Sequence, residues 1–137
     1  MKYILLSIFI IFSSSVSAAL SSATIKLSFS DRAKIAKDVE ADESTQEYFK
    51  VQFYPYIGKE LAGVLKKCTS VENASLEDLA IVADVSEVGN FINIVSLTDT
   101  NTSICFTKSL ARLHAPLPPK LKAHENFPVI FEIKIKP

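Results

Sequence analysis

The chain has 137 residues, room for one ordinary domain, and its 48% hydrophobic and 22% charged residues are the balance of a globular protein. Fifteen Lys and Arg against 15 Asp and Glu leave no net charge, so composition gives no electrostatic footprint for nucleic acid or an anionic membrane. Three glycines and six prolines exclude collagen-like and low-complexity chains.

Lys2, the apolar run at residues 3–12 and the small-residue segment Val16-Ser17-Ala18 read as an export signal cleaved near Ala18. The run is shorter than the roughly 20 apolar residues that cross a bilayer, so removal is expected rather than retention as an anchor. No cysteine stands at the cleavage point for a lipid anchor. Only Lys2 among the charged residues is lost, so the mature chain stays within one charge of neutral. The expected division is a signal at 1–18, an extension at 19–53 and a folded domain at 54–137.

Residues 23–29 alternate Ile25, Leu27 and Phe29 with Thr24, Lys26 and Ser28, which predicts a half-buried strand. Residues 30–46 are polar, with Ala33, Ile35, Ala36 and Val39 as exceptions, and fit either a short exposed helix or a solvated connection. Residues 48–54 are aromatic and ambiguous. From Pro55 the pattern is clear. Ile57, Leu61, Val64, Leu65 and Cys68 share one helical face, proline suits the first turn, and Lys66 and Lys67 complement the dipole at the end.

Residues 79–86 and 91–97 are two strands rich in Ile and Val, and Glu87-Val88-Gly89-Asn90 supplies the turn of a hairpin. A second helix is expected from a cap at Asp99 or Asn101 to about His114, stopped by Pro116-Leu117-Pro118-Pro119. Last, Phe127, Val129, Phe131, Ile133 and Ile135 alternate with Pro128, Ile130, Glu132, Lys134 and Lys136 in the cleanest strand of the chain.

The fold class is therefore α+β, with an α-β-β-α-β core and an N-terminal strand or extension. All three strands pair antiparallel if the strand at 79–86 lies in the middle, with two helices on one face of the sheet. Cys68 and Cys105, the only cysteines, are expected to pair in an oxidising compartment and to tie those helices together. The bridge closes a loop of about 38 residues, which removes on the order of 4 kcal/mol of unfolded-chain freedom.

The hairpin LAIVADVSEVGNFINIVSL, the helix SICFTKSLARL, the PLPP stop and the terminal strand FPVIFEIKI together resemble the carboxy-terminal domains of TonB and TolA. The likeness runs from about Tyr54 to the end of the chain. Paired cysteines at these places look like those of small secreted TonB-like proteins. The resemblance implies a periplasmic protein that binds another envelope protein by strand pairing, and the long proline-rich spacer of a force transducer is missing.

Few residues suit catalysis or metal binding. His114 and His124 are the only histidines, and with the cysteines paired no zinc set of recognisable spacing remains. There is no phosphate-cradling glycine loop and no G-x-S-x-G elbow. Asp38, Glu40, Asp42 and Glu43, and the pair Glu77-Asp78, read as solvated charge, because EF-hand spacing is absent. Asn73-Ala74-Ser75 and Asn101-Thr102-Ser103 match the glycosylation pattern but serve equally as turns or caps.

The last strand, as a sheet edge, is the one feature with a binding mechanism. Lys134, Lys136 and Pro137 fit a guarded edge as well. The leading expectation is a non-enzymatic periplasmic module, without cofactor or metal, that binds an envelope protein through Phe127, Val129, Phe131, Ile133 and Ile135, with a homodimer through the same edge as a variant. An inhibitor or immunity-type protein that blocks an envelope-targeting enzyme through residues 117–127 is the alternative. An enzyme centred on His114 or a nearby carboxylate is a third.

Overall fold

The structure is a computed structural model that describes residues 26–136. The expected export signal therefore lies outside the described residues, as do Ala23 to Ile25 of the expected first strand.

That strand is not formed where it can be seen. Lys26 to Ser28 pair with no other strand, and helix α1 (Phe29–Ala41) begins at Phe29. The reason is a capping box: the Asp31 N–H donates to Ser28 Oγ at 3.1 Å, and the Ser28 N–H donates back to the Asp31 carboxylate at 3.3 Å. Two orphan helix donors are satisfied at once, which overrides the short apolar alternation. The polar stretch after it resolves as helix rather than connection, with Ala36 and Val39 buried.

Asp42 caps the next short turn, a 3₁₀ helix (Glu43–Thr45), by accepting from the Ser44 N–H at 2.8 Å and the Ser44 hydroxyl at 2.5 Å. The ambiguous aromatic segment is a π-helical stretch (Tyr48–Phe53) that runs directly into α2 (Tyr54–Cys68). The Tyr54 N–H reaches back five residues to the Phe49 carbonyl. Tyr48, Phe49 and Phe53 are all buried, and their rings pack on Phe127 of the last strand and on Phe91 and Phe131. Residues 29–53 thus supply core side chains and are no loose extension.

Strands β1 (Leu79–Val85), β2 (Phe91–Ser96) and β3 (Phe127–Ile133) form an antiparallel sheet in the order β2-β1-β3, with β1 central as expected. Helix α3 (Asn101–Leu110) crosses from β2 to β3. Its cap is Thr100, paired with Ser103 in a second capping box, rather than Asp99 or Asn101. It ends at Leu110, short of His114, which instead bridges to Asn90 at the hairpin.

One face of the sheet carries Leu79, Ile81, Ala83, Val85, Phe127, Val129 and Phe131 into a common core with Ile57 and Cys68 of α2 and Phe106 and Leu110 of α3. The Cys68–Cys105 disulfide is present, with a Cα–Cα separation of 5.4 Å, and it joins the two helices over that core. The other face is covered in part by α1, the third helix, which lies chiefly along β3. Arg32 stands 3.6 Å from Asp84 of β1, and Lys37 pairs with Glu132 of β3 at 2.8 Å. Val82, on that second face, is only 1% exposed.

The buried Tyr48 phenol donates to the Pro116 carbonyl at 2.7 Å, fastening the proline segment to the aromatic layer. Burial pushes its ionisation well above the ordinary tyrosine range. A raised folded pKa means that the fold holds the proton more tightly than the unfolded chain. Stability is then full below the unfolded value of about 10 and falls as pH rises above it.

Two outcomes are expected. Replacing both Cys68 and Cys105 by Ala should lower unfolding free energy by about 4 kcal/mol, read by urea titration of the wild-type and variant proteins. Tyr48→Phe should cost about 1 kcal/mol at neutral pH and make the loss of stability above pH ~10 shallower, as followed by melting temperature against pH.

Candidate functional site

The sheet has two edges, β2 and β3, each paired on one side only. In an antiparallel ladder the N–H and C=O of a residue point to the same side, and successive residues alternate. The Leu97 N–H donates to the Ala80 carbonyl at 2.9 Å, and the Ser86 N–H to the Asn90 carbonyl at 2.9 Å. Even-numbered residues of β1 therefore serve β2, and Leu79, Ile81, Ala83 and Val85 serve β3.

The partners of those four are Ile133, Phe131, Val129 and Phe127. These residues turn their backbone groups toward β1. Phe127, Val129 and Phe131 also bury their side chains, with 2%, 2% and 5% exposure. Most of the residues expected from sequence to meet a partner are thus occupied inside the molecule. Ile133 is half-buried against the same core, and beyond the strand Ile135 donates its N–H to Asp78 at 3.2 Å.

The outward positions of β3 are Pro128, Ile130 and Glu132. Proline has no N–H to offer. Glu132 is tied to Lys37, and α1 runs alongside. This edge is guarded.

β2 differs in each respect. Its sequence Phe-Ile-Asn-Ile-Val-Ser has no charge and no proline. The Leu97–Ala80 bond makes Ser96 the residue that turns its N–H outward. Val95, which pairs with Val82 on the face that α1 covers only over β1 and β3, is 41% exposed, and Leu97 is 62% exposed. Asn93 has a φ of 52° at the point where the register shifts, and its side chain donates to Asp84 at 2.9 Å. This is a single bulge in an otherwise open strand.

The residues considered for chemistry are placed separately. His114 is exposed beside the hairpin, whereas His124 is half-buried in the segment before β3. Among the described residues no group of His, Cys, Asp and Glu stands close enough to hold a metal ion. Three members of the acidic run have separate local tasks. Asp38 pairs with Lys34 at 2.6 Å, Glu40 accepts from the Tyr54 hydroxyl, and Asp42 is a cap. Hydrogen bonds from the Ser44 side chain and backbone hold the Asp42 carboxyl below its ordinary range.

Asn73 sits exposed in a left-handed turn. In the second sequon-like triplet Thr102 and Ser103 are buried, and the Thr102 hydroxyl both donates to the Ser75 carbonyl and accepts from the Ser75 N–H at 2.8 Å. These residues fasten the loop before β1 to the start of α3.

The last strand is a sheet edge as expected, and it is guarded; the second edge, β2, went unremarked because alternation marks which side chains enter a core, not which backbone groups remain free. The absence of charge and proline in Phe91–Ser96 was the available signal.

The position of β2 depends on the hairpin. Gly89 takes a φ of +86°, and a Cβ there would lie 2.5 Å from the Ala115 carbonyl oxygen, while the Ala115 N–H donates to the Gly89 carbonyl at 2.8 Å. Gly89→Ala should therefore lower stability by about 2 kcal/mol or more, seen as a shifted urea midpoint.

Among the described residues no helix is long and apolar enough to cross a membrane, and the disulfide is consistent with an oxidising extracellular or periplasmic compartment. The chain matches no protein-family profile, no curated protein and no solved structure.

Proposed function

We propose that this chain is a non-enzymatic binding module of the periplasm, TonB-like in kind, that takes up an extended segment of an envelope protein as a fourth strand. The observation that carries the reading is the contrast between the two edges. β2 offers an uncharged, proline-free strand with Val95 and Leu97 exposed beside it, whereas β3 is flanked by Pro128, the Lys37–Glu132 pair and α1. A partner strand would gain affinity from main-chain hydrogen bonds and selectivity from the apolar side chains next to the edge. On this reading the partner strand meets β2, and β3 is a guarded edge that supports β1.

The disulfide supports the reading by bracing the layer behind the sheet. Cys68 and Cys105 hold α2 to α3, and Phe106 and Leu110 of α3 are fully buried in the core under β1. An edge that has to receive a strand benefits from a backbone already fixed in the bound geometry, because less ordering is lost on association.

The test is affinity capture from periplasmic extract by the oxidised mature protein, with Ser96→Pro and Glu132→Pro beside it. Each proline removes one outward donor while leaving the ladder to β1 in place. The Ser96 hydroxyl is buried without a hydrogen-bond partner, so its removal breaks no such bond in the fold. A captured partner whose affinity falls about tenfold or more with Ser96→Pro, but not with Glu132→Pro, is the expected result. The opposite pattern would return the contact to β3. Equal capture by all three would place binding away from both edges, and a captured hydrolase inhibited by the protein would favour an inhibitor.

A further inference from the structure

The chain is neutral as a whole, but the fold does not keep its charges interspersed. Lys67 stands in the last turn of α2, next to Cys68, and Lys108 stands three residues after Cys105 on α3. The disulfide therefore brings the two lysines to one place although their segments are far apart in sequence. Arg112, in the turn that follows α3, lines the same place.

These three cations line one open cleft of about 450 Å³ between the end of α2 and the outer side of α3. None of them takes part in an ion pair among the described residues. Glu72 is the single carboxylate on the lining, and its backbone carbonyl is held by the Asn101 side chain at 3.1 Å. The wall also carries Val71 and Ile104, the latter 39% exposed on a helix whose inner residues are well packed. Cys105 of the disulfide contributes to the same lining, so the bridge braces the two cationic sides.

Helix-end dipoles account for a cation at each C-terminus. They do not account for an exposed isoleucine among cations that have no ion pair among the described residues. That combination complements an occupant with carboxylates around one apolar side chain.

We propose that this cleft docks an acidic segment of a partner protein, with an apolar side chain against Ile104 and Val71 and carboxylates at Lys67, Lys108 and Arg112. The apolar contribution is confined to Val71 and Ile104 between the cations, which matches one side chain of a peptide, and a bilayer surface is the opposing outcome of the test. The site is separate from the β2 edge and does not rest on strand addition.

The probe is an acetylated peptide of alternating Asp and Leu, titrated into the oxidised mature protein by fluorescence anisotropy. Its Asn and Leu counterpart serves as the neutral control. The Asp peptide should bind, and raising ionic strength toward about 1 M, where the Debye length is roughly 3 Å, should weaken it. The double variant Lys108→Glu with Arg112→Glu should weaken it by about tenfold or more, since two attractions become repulsions. Lys50→Glu, an exposed reversal in the π-helical stretch, should leave it unchanged.

Undiminished affinity in the double variant overturns the proposal, as does equal binding of the neutral peptide or no binding of the acidic one. Binding only to vesicles of phosphatidylglycerol in phosphatidylcholine also overturns it, in favour of a lipid surface. Ser96→Pro should leave the peptide affinity intact, so failure at the edge and failure at the cleft remain distinguishable.

Discussion

β1 is buried on both faces and paired on both sides, and this one strand sets the demands that the other elements meet. Leu79, Ile81, Ala83 and Val85 enter the core under α2 and α3, while Val82 on the opposite face is equally closed to solvent. A strand with apolar residues on both faces cannot sit in a two-layer arrangement with one face wet. A further element has to lie over Val82. The chain supplies α1, whose small Ala33 and Ala36 permit close approach and whose Arg32 and Lys37 reach carboxylates on the sheet. The N-terminal segment is thus a structural requirement of β1.

The incomplete reach of α1 then makes the two edges unequal. It follows β3, so that edge gains a covered face and a charged guard, while β2 keeps only its backing by α3. A free edge is a hazard for aggregation as well as an opportunity for recognition. The bulge at Asn93 limits the first by interrupting the flat run of the strand, and its side chain is anchored to Asp84, the same carboxylate that faces Arg32. Asp84 therefore links α1, β1 and β2 across the second face. It is half-buried, and its neighbours are a cation and an amide donor, the setting in which a partly desolvated carboxylate is tolerated.

Sequence periodicity made the α2–β1–β2–α3–β3 order readable because each of those elements buries one side of a regular pattern. Ile57 and Cys68 mark α2, and the strict alternation of Phe127, Val129 and Phe131 marks β3. The disulfide was readable from compartment and count. What failed did so where local chemistry outranked pattern. Ile25, Leu27 and Phe29 alternate like a strand, but the Ser28–Asp31 box starts a helix at Phe29. Thr100 caps α3 because Ser103 can return a bond to its backbone, which neither Asp99 nor Asn101 was placed to receive from that residue. The aromatic run Tyr48–Phe53 has no strand or α-helical period because it is wound as a π-helix. The free side of each edge strand was least readable, since it is decided by pairing with residues far along the chain.

Charge follows the same logic as the edge. A balanced count of acids and bases excludes a general attraction for polyanions only if the balance also holds locally, and here it does not. Asp38, Glu40 and Asp42 are engaged by Lys34, by the Tyr54 hydroxyl and by a backbone donor at a cap. Among the described residues the cations near the disulfide have no such partners. The three ion pairs among the described residues lie within α1 or between α1 and the sheet, so the neutral chain carries an unpaired cluster of Lys67, Lys108 and Arg112 at the disulfide end. The covalent bridge that holds α2 to α3 also keeps those cations together, so the stability of this end of the molecule and the arrangement of its charges rest on one bond.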